Sequence, residues 1–155
     1  MIETLARGGA AGAVGTIVLN AATYADMALR GRPSSGTPAE AVDKMTKEAG
    51  HPVPGSGESR ENRLSGLGAL SGIAVGCGIG VAVSVLHRAG FRMPWLPGGV
   101  VTGALAMAAT DLPMARMGVS DPSQWSAQDW ASDAVPHLLY GLATYGMVQA
   151  AARRA

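Results

Sequence analysis

The sequence predicts an all-α fold, an integral membrane four-helix bundle with a short amphipathic helix in its first loop. Three observations carry that expectation. Residues 64–86 form a run of 23 without one charged side chain, and a helix of that length covers the roughly 30 Å of a bilayer's hydrocarbon. Among 155 residues there are 22 glycines, about twice the ordinary share of about 7%, where a soluble core of this size would use bulkier apolar side chains. Phe91 and Trp95 fall in one connection and Trp125 and Trp130 in another, the places where aromatic side chains mark the two membrane interfaces.

The first span, 8–29, resembles a secretory signal in following Arg7 and in its small residues around Thr23. Its length, Glu3 and the lack of a clean cleavage motif predict a retained helix. The second span is 64–86. The third and fourth, 98–117 and 133–152, contain polar groups, and with the first they also fit buried helices of a soluble protein. The uncharged second span and the aromatic placement weigh for four spans and one membrane domain.

Between the first two spans lies the polar loop 30–63. There Thr37-Pro38-Ala39-Glu40 predicts a helix with Thr37 as N-cap, Pro38 at the first position and Glu40 reaching back, ending near Gly50. Glu40/Lys44 and Asp43/Lys47 are spaced to pair across one turn, and Ala39, Val42, Met45 and Ala49 make a thin apolar stripe. Such a helix fits the membrane surface, a cap on the bundle, or a solvated loop. Residues 51–62, rich in Pro and Gly, read as a flexible return. Of the basic residues, Arg7, Arg88, Arg92, Arg153 and Arg154 share one side in short segments, which points to cytoplasmic termini.

Gly68, Gly72, Gly76 and Gly80 recur at intervals of four along the second span. Their row forms a groove that another helix backbone can enter closely. Gly8, Gly12 and Thr16 repeat the pattern in the first span, and Gly99 and Gly103 in the third. The seam closes either within one chain, the favoured case, or between copies. A dinucleotide loop at Gly66-Leu67-Gly68-Ala69-Leu70-Ser71-Gly72 would need a preceding strand and a later acid, which the sequence lacks.

Ionisable groups inside spans are costly unless they face the bundle interior. Of the ionisable groups Asp26, Asp111, Asp133 and His137, the first two and His137 lie at about one level, with Asn20, Tyr140 and Thr144 nearby, and Asp133, His137, Tyr140, Gly141 and Thr144 share one helix face. A one-sided polar pocket is therefore expected. Pro113 predicts a kink in the third span; Pro136 does the same in the fourth if the Ser126-Ala127-Gln128-Asp129 cap starts that helix early, and otherwise belongs to its first turn. For Asp111 with His137 three roles are open: an interhelical hydrogen bond or ion pair, a proton or ion site, and metal ligation assembled from separate helices without a His-x-x-x-His signature. His51 and His87 read as solvated loop residues.

From Gly103 onward the chain resembles the YagU-like family of small bacterial inner-membrane proteins. The likeness is carried by Gly103-Ala104-Leu105-Ala106, Met117-Gly118-Val119 with Pro122, Ser132, His137-Leu138 and Tyr140-Gly141. It covers about a third of the chain and implies a polytopic membrane protein; where that family tends to show a histidine in the third span, Asp111 stands here.

A formal charge of +1 without a dense basic block excludes a phosphate-neutralising surface, hence a nucleic-acid partner. The single Cys77 excludes intrachain disulfides and multi-cysteine zinc sites. No nucleophile elbow or phosphate loop is visible, so the expectation is a non-enzymatic accessory or interaction subunit without a cofactor, its partners being lipid and a membrane protein or a second copy. A proton-coupled or ion-conducting module using Asp111 and His137 is the alternative, and a lipid-headgroup or metal-binding enzyme a further one.

Overall fold

A computed structural model describes residues 1–153. Within them five α-helices run α1 (Ile2–Arg30), α2 (Thr37–Glu48), α3 (Gly57–Arg88), α4 (Trp95–Arg116) and α5 (Ala127–Ala152), with a 3₁₀ turn at Pro122–Gln124 and no strand. The four long helices run up and down. α1 packs on both α3 and α5, and α4 packs on α5.

Each long helix is longer than the apolar stretch that marks it. α3 starts seven residues before Leu64 because Glu58, Arg60, Glu61 and Arg63 favour a helix and solvate its first turns. Residues 57–62 are therefore helix, and the return before them is pinned: Arg60 Nε donates to the Val53 carbonyl at 3.2 Å and Arg63 Nη1 to that of Pro54 at 2.7 Å. At the other end α3 continues through His87, and the turn after it closes at Gly90 with φ 101°, a left-handed conformation that favours glycine. α1 ends the same way at Gly31, φ 64°. α5 starts early on a capping box: Ser126 Oγ accepts from the Asp129 amide at 3.2 Å, and Asp129 Oδ2 accepts from the Ser126 amide at 2.9 Å. Pro136 thus lies inside α5, as Pro113 does inside α4.

α2 departs from expectation at its start. Gly36, not Thr37, is the N-cap, and Ser35 Oγ accepts from the Thr37 amide at 3.2 Å. Glu40 is exposed and makes no cap or ion pair; Lys44 turns away to the carbonyl of Met117. The side of α2 carrying Ala41 is buried while Met45 stays 57% exposed, because the first turn of α2 sits on Gly68 of α3. A Cβ on Gly68 would fall 2.9 Å from the Ala39 nitrogen. Asp43 bridges α2 to α3, pairing with Lys47 at 2.9 Å and with Arg60. Those two cations hold the Asp43 carboxyl below its usual range, Lys47 acting most strongly. A depressed carboxyl stabilises the native state above its unfolded pKa of about 3.9 and loses that contribution as pH falls through the lower native value. Amide protection of α2 is accordingly expected to drop on acidification below about pH 4 and to be lower at neutral pH in Asp43→Asn, as read by hydrogen exchange.

The glycines form two interhelical seams inside the chain. Between α1 and α3, a Cβ on Gly80 would fall 2.6 Å from the Gly12 Cα, and one on Gly8 2.7 Å from the Val81 Cα. Between α4 and α5, a Cβ on Gly103 would meet the His137 carbonyl oxygen at 2.6 Å, one on Gly99 the Leu142 Cα at 2.9 Å, and one on Gly141 the Gly103 Cα at 2.7 Å. Gly72 is the exception in its row: open space lies beside it. α1 and α3 meet at Gly8, Gly12, Gly76 and Gly80, whereas nearer its start α3 is met by α2 at Gly68 and by the return segment at Arg60 and Arg63.

The interior holds small side chains and a few large ones, chiefly Ala11, Val83, Tyr145 and Val148. Bulky aliphatics point outward instead, among them Ile17 (67% exposed), Leu70 (62%) and Leu112 (56%). Among the described residues α3 alone is long and apolar enough to cross a membrane, and only 17% of its most apolar stretch of 18 residues is buried. The other three long helices fall short because Ala, Gly and Thr contribute little to transfer into hydrocarbon and each helix carries charged residues.

Candidate functional site

Close approach of α4 and α5 at Gly99, Gly103 and Gly141 fixes the helices so that their polar ends meet one turn or two beyond. There Asp111 of α4 faces Asp133 and His137 of α5. His137 Nδ1 lies 2.9 Å from the Asp133 carbonyl oxygen and 3.4 Å from Asp133 Oδ2. The His137 side chain is 12% exposed, that of Asp133 27%. Asp133 Oδ2 is itself buried and receives no hydrogen bond. Asp111 is flanked by Thr110, whose hydroxyl lies 3.4 Å from Oδ1.

Two carboxyls and one imidazole in so little water cannot all take their ionic forms independently, since like charges at close range disfavour each other. Among the described residues no group of three or more His, Cys, Asp or Glu is arranged to hold a metal ion.

The other residues expected in this pocket lie elsewhere. Asp26 accepts from Arg30 Nε at 2.5 Å and from Arg32 Nε at 2.6 Å, in a cleft between α1 and the opposite side of α5. Tyr140, 1% exposed, donates its hydroxyl proton to the Gly76 carbonyl at 2.6 Å. Thr144, fully buried, lies with its hydroxyl 3.5 Å from the Ala11 carbonyl. The polar row of α5 thus serves two sides, because α5 is packed by α4 on one and by α1 and α3 on the other: His137 and Gly141 face α4, whereas Tyr140 and Thr144 face α3 and α1. Tyr140→Phe is expected to cost about 0.5–1.5 kcal/mol by removing the interhelical hydrogen bond to the Gly76 carbonyl, which keeps its own intrahelical bond, read as a lowered unfolding midpoint in detergent.

His87 is a second correction. It belongs to the last turn of α3, is 7% exposed, and meets the Tyr145 ring edge-on with centroids 6.1 Å apart. Tyr145 in turn fixes the connection 89–94: its hydroxyl accepts from the Met93 amide at 2.7 Å and donates to the Met93 carbonyl at 3.0 Å. Gly90, two residues past Arg88, was the available signal that the helix runs through His87. At this end Trp95 is 52% exposed and donates Nε1 to the Leu142 carbonyl at 3.1 Å; at the other, Trp125 and Trp130 stack edge-to-face at 5.1 Å.

No family model, curated protein or solved structure matches the chain. The resemblance to the YagU-like family rests on the residues quoted for it.

Proposed function

We propose that this chain is a multi-pass protein of a bacterial cytoplasmic membrane that serves as a non-enzymatic accessory or interaction subunit. The observation that supports this most is the distribution of side chains: glycine at the close helix contacts, with Ile17, Leu70, Ile73, Leu105 and Leu112 among the many large aliphatics outside. In water that distribution forfeits the hydrophobic driving force, whereas in hydrocarbon the gain comes from close van der Waals packing of small residues. The aromatic residues at opposite ends of the bundle agree with two interfaces, and the likeness to the YagU-like family through α4 and α5 is in keeping with a polytopic chain. Mild-detergent copurification tests the subunit role: a companion protein or a defined homo-oligomer is expected, and a lone monomer with no companion at any detergent-to-protein ratio would refute it.

A second reading is favoured by the Asp111, Asp133 and His137 group alone: a small proton-coupled or ion-conducting module. Buried ionisable groups between helices are a recurrent feature of such pathways. In liposomes that reading requires pH-dependent flux, lost in Asp111→Asn; absence of flux at every pH would dispose of it.

A further inference from the structure

We infer that His87 is a pH-sensitive latch on the connection between α3 and α4: its neutral ring packs against Tyr145 and keeps residues 89–94 closed, and its protonated ring leaves that packing and releases them. The connection is held from α5. The Tyr145 hydroxyl bonds both the amide and the carbonyl of Met93, and Gln149 Nε2 donates to the same carbonyl at 2.8 Å. Tyr145 itself is buried between α4, where a Cβ on Gly98 would collide with its ring, and His87 on α3. The enclosed imidazole is thus one wall of the slot that positions the hydroxyl closing the connection.

That slot suits the neutral ring and not the charged one. Among the described residues neither ring nitrogen of His87 has a hydrogen-bond partner, and the Tyr145 hydroxyl is already engaged by Met93. Counter-ions are lacking too. Of the 11 acidic residues only Glu3, on α1, lies at this end of the bundle, and it pairs with Arg7. The other charges here are basic: Arg88 and Arg92 on either side of the α3 end, the amino terminus and Arg7 from α1, and Arg153 after α5, while the first turns of α4 bring no ionisable side chain. A helix C-terminus favours a cation, but here the carbonyls of Val85, Leu86 and His87 already accept from the amides of Ala89, Phe91 and Gly90. An imidazolium in this place would lose its hydration with no acceptor or carboxylate to replace it. Swinging out to water restores that hydration and removes the wall behind Tyr145.

The latch requires the fold alone, whichever solvent surrounds it. In the test, the full chain in mild detergent carries a nitroxide at Phe91→Cys, 66% exposed in the connection, with Cys77→Ser removing the native thiol. Electron paramagnetic resonance spectra are recorded from about pH 7.5 down to about pH 5. Below about pH 6.5, the ordinary histidine value, the ratio of mobile to immobile label is expected to rise by up to about tenfold per pH unit, the limit for one proton. His87→Phe keeps an aromatic ring against Tyr145 without a titrating nitrogen, and His87→Gln is a second neutral replacement; both should lose the response, although His51 and His137 remain. Tyr145→Phe keeps the ring and drops the hydroxyl, so its connection should be mobile throughout. A label at Leu29→Cys, 87% exposed at the opposite end, should stay unchanged, which separates release of the connection from acid unfolding. A parent spectrum constant over this range would overturn the latch, as would an undiminished response in the two His87 variants or an equal response at Leu29→Cys. An immobile connection in Tyr145→Phe at every pH would overturn the part given to its hydroxyl.

Discussion

Gly80→Leu is expected to disrupt the bundle, and Gly72→Leu, two turns away on the same helix, to leave it nearly unchanged. A Cβ at position 80 would fall 2.5 Å from the Gly12 nitrogen and 2.6 Å from its Cα, both backbone atoms that cannot rotate aside. Accommodating a leucine there separates α1 from α3 over the whole seam. Overpacking of this kind costs about 1–3 kcal/mol when neighbouring side chains can adjust, and more when backbone must move. A loss above about 3 kcal/mol is therefore expected for Gly80→Leu. At position 72 no atom lies within 4 Å of an added Cβ, and a leucine adds apolar surface to an already apolar exterior. Unfolding of both variants in the same detergent provides the comparison. Equal effects would show that the seam does not hold α1 and α3 together.

The row of four glycines was visible in the sequence, and so was its purpose as a packing surface. What periodicity alone could not show is where α1 leaves α3. All four positions share a spacing, but Gly68 receives α2, Gly76 and Gly80 receive α1, and Gly72 receives nothing. The existence and order of the helices were legible for the same reason, since uncharged runs and the Ser126–Asp129 cap are local signals. Helix ends were less so: charged helix formers such as Glu58 and Arg60 extend α3 beyond its apolar stretch without any hydropathic trace.

His137→Leu is the second substitution with a large expected effect. It removes the imidazole that lies 3.4 Å from Asp133 Oδ2 and leaves two carboxyls facing each other between α4 and α5. Breaking a buried charged group's partnership on one side typically costs about 3–5 kcal/mol; with Asp133 27% exposed, a loss of about 2–3 kcal/mol is the measured drop to look for. Adding Asp133→Asn should recover a large part of it, because the remaining Asp111 then faces a neutral amide. Strict additivity of the two substitutions in a double-mutant cycle would mean that the side chains do not interact.

This site was half legible. Asp111 and His137 could be brought to one level by counting turns from helix ends, and Asp133 joined them by sharing the face of His137. Asp26 and Tyr140 stand at comparable levels, but level says nothing about azimuth. α5 is surrounded by three helices, so an arc of polar residues about 100° wide is divided between different neighbours. The cations that claim Asp26 lie past the end of α1, at Arg30 and Arg32, and their convergence depends on the turn at Gly31. Likewise His87 is enclosed only because Tyr145 comes to it from another helix.

The central claim is that hydrocarbon surrounds the outward Leu, Ile and Val side chains. It is tested most directly by a nitroxide attached at Leu70→Cys, 62% exposed on α3, with Cys77→Ser removing the native thiol, in liposomes. Power saturation compares collisions with oxygen, which concentrates in the bilayer, and with a polar nickel chelate, which stays in water. Relaxation dominated by oxygen is the expected result; a label relaxed chiefly by the nickel chelate would contradict the account.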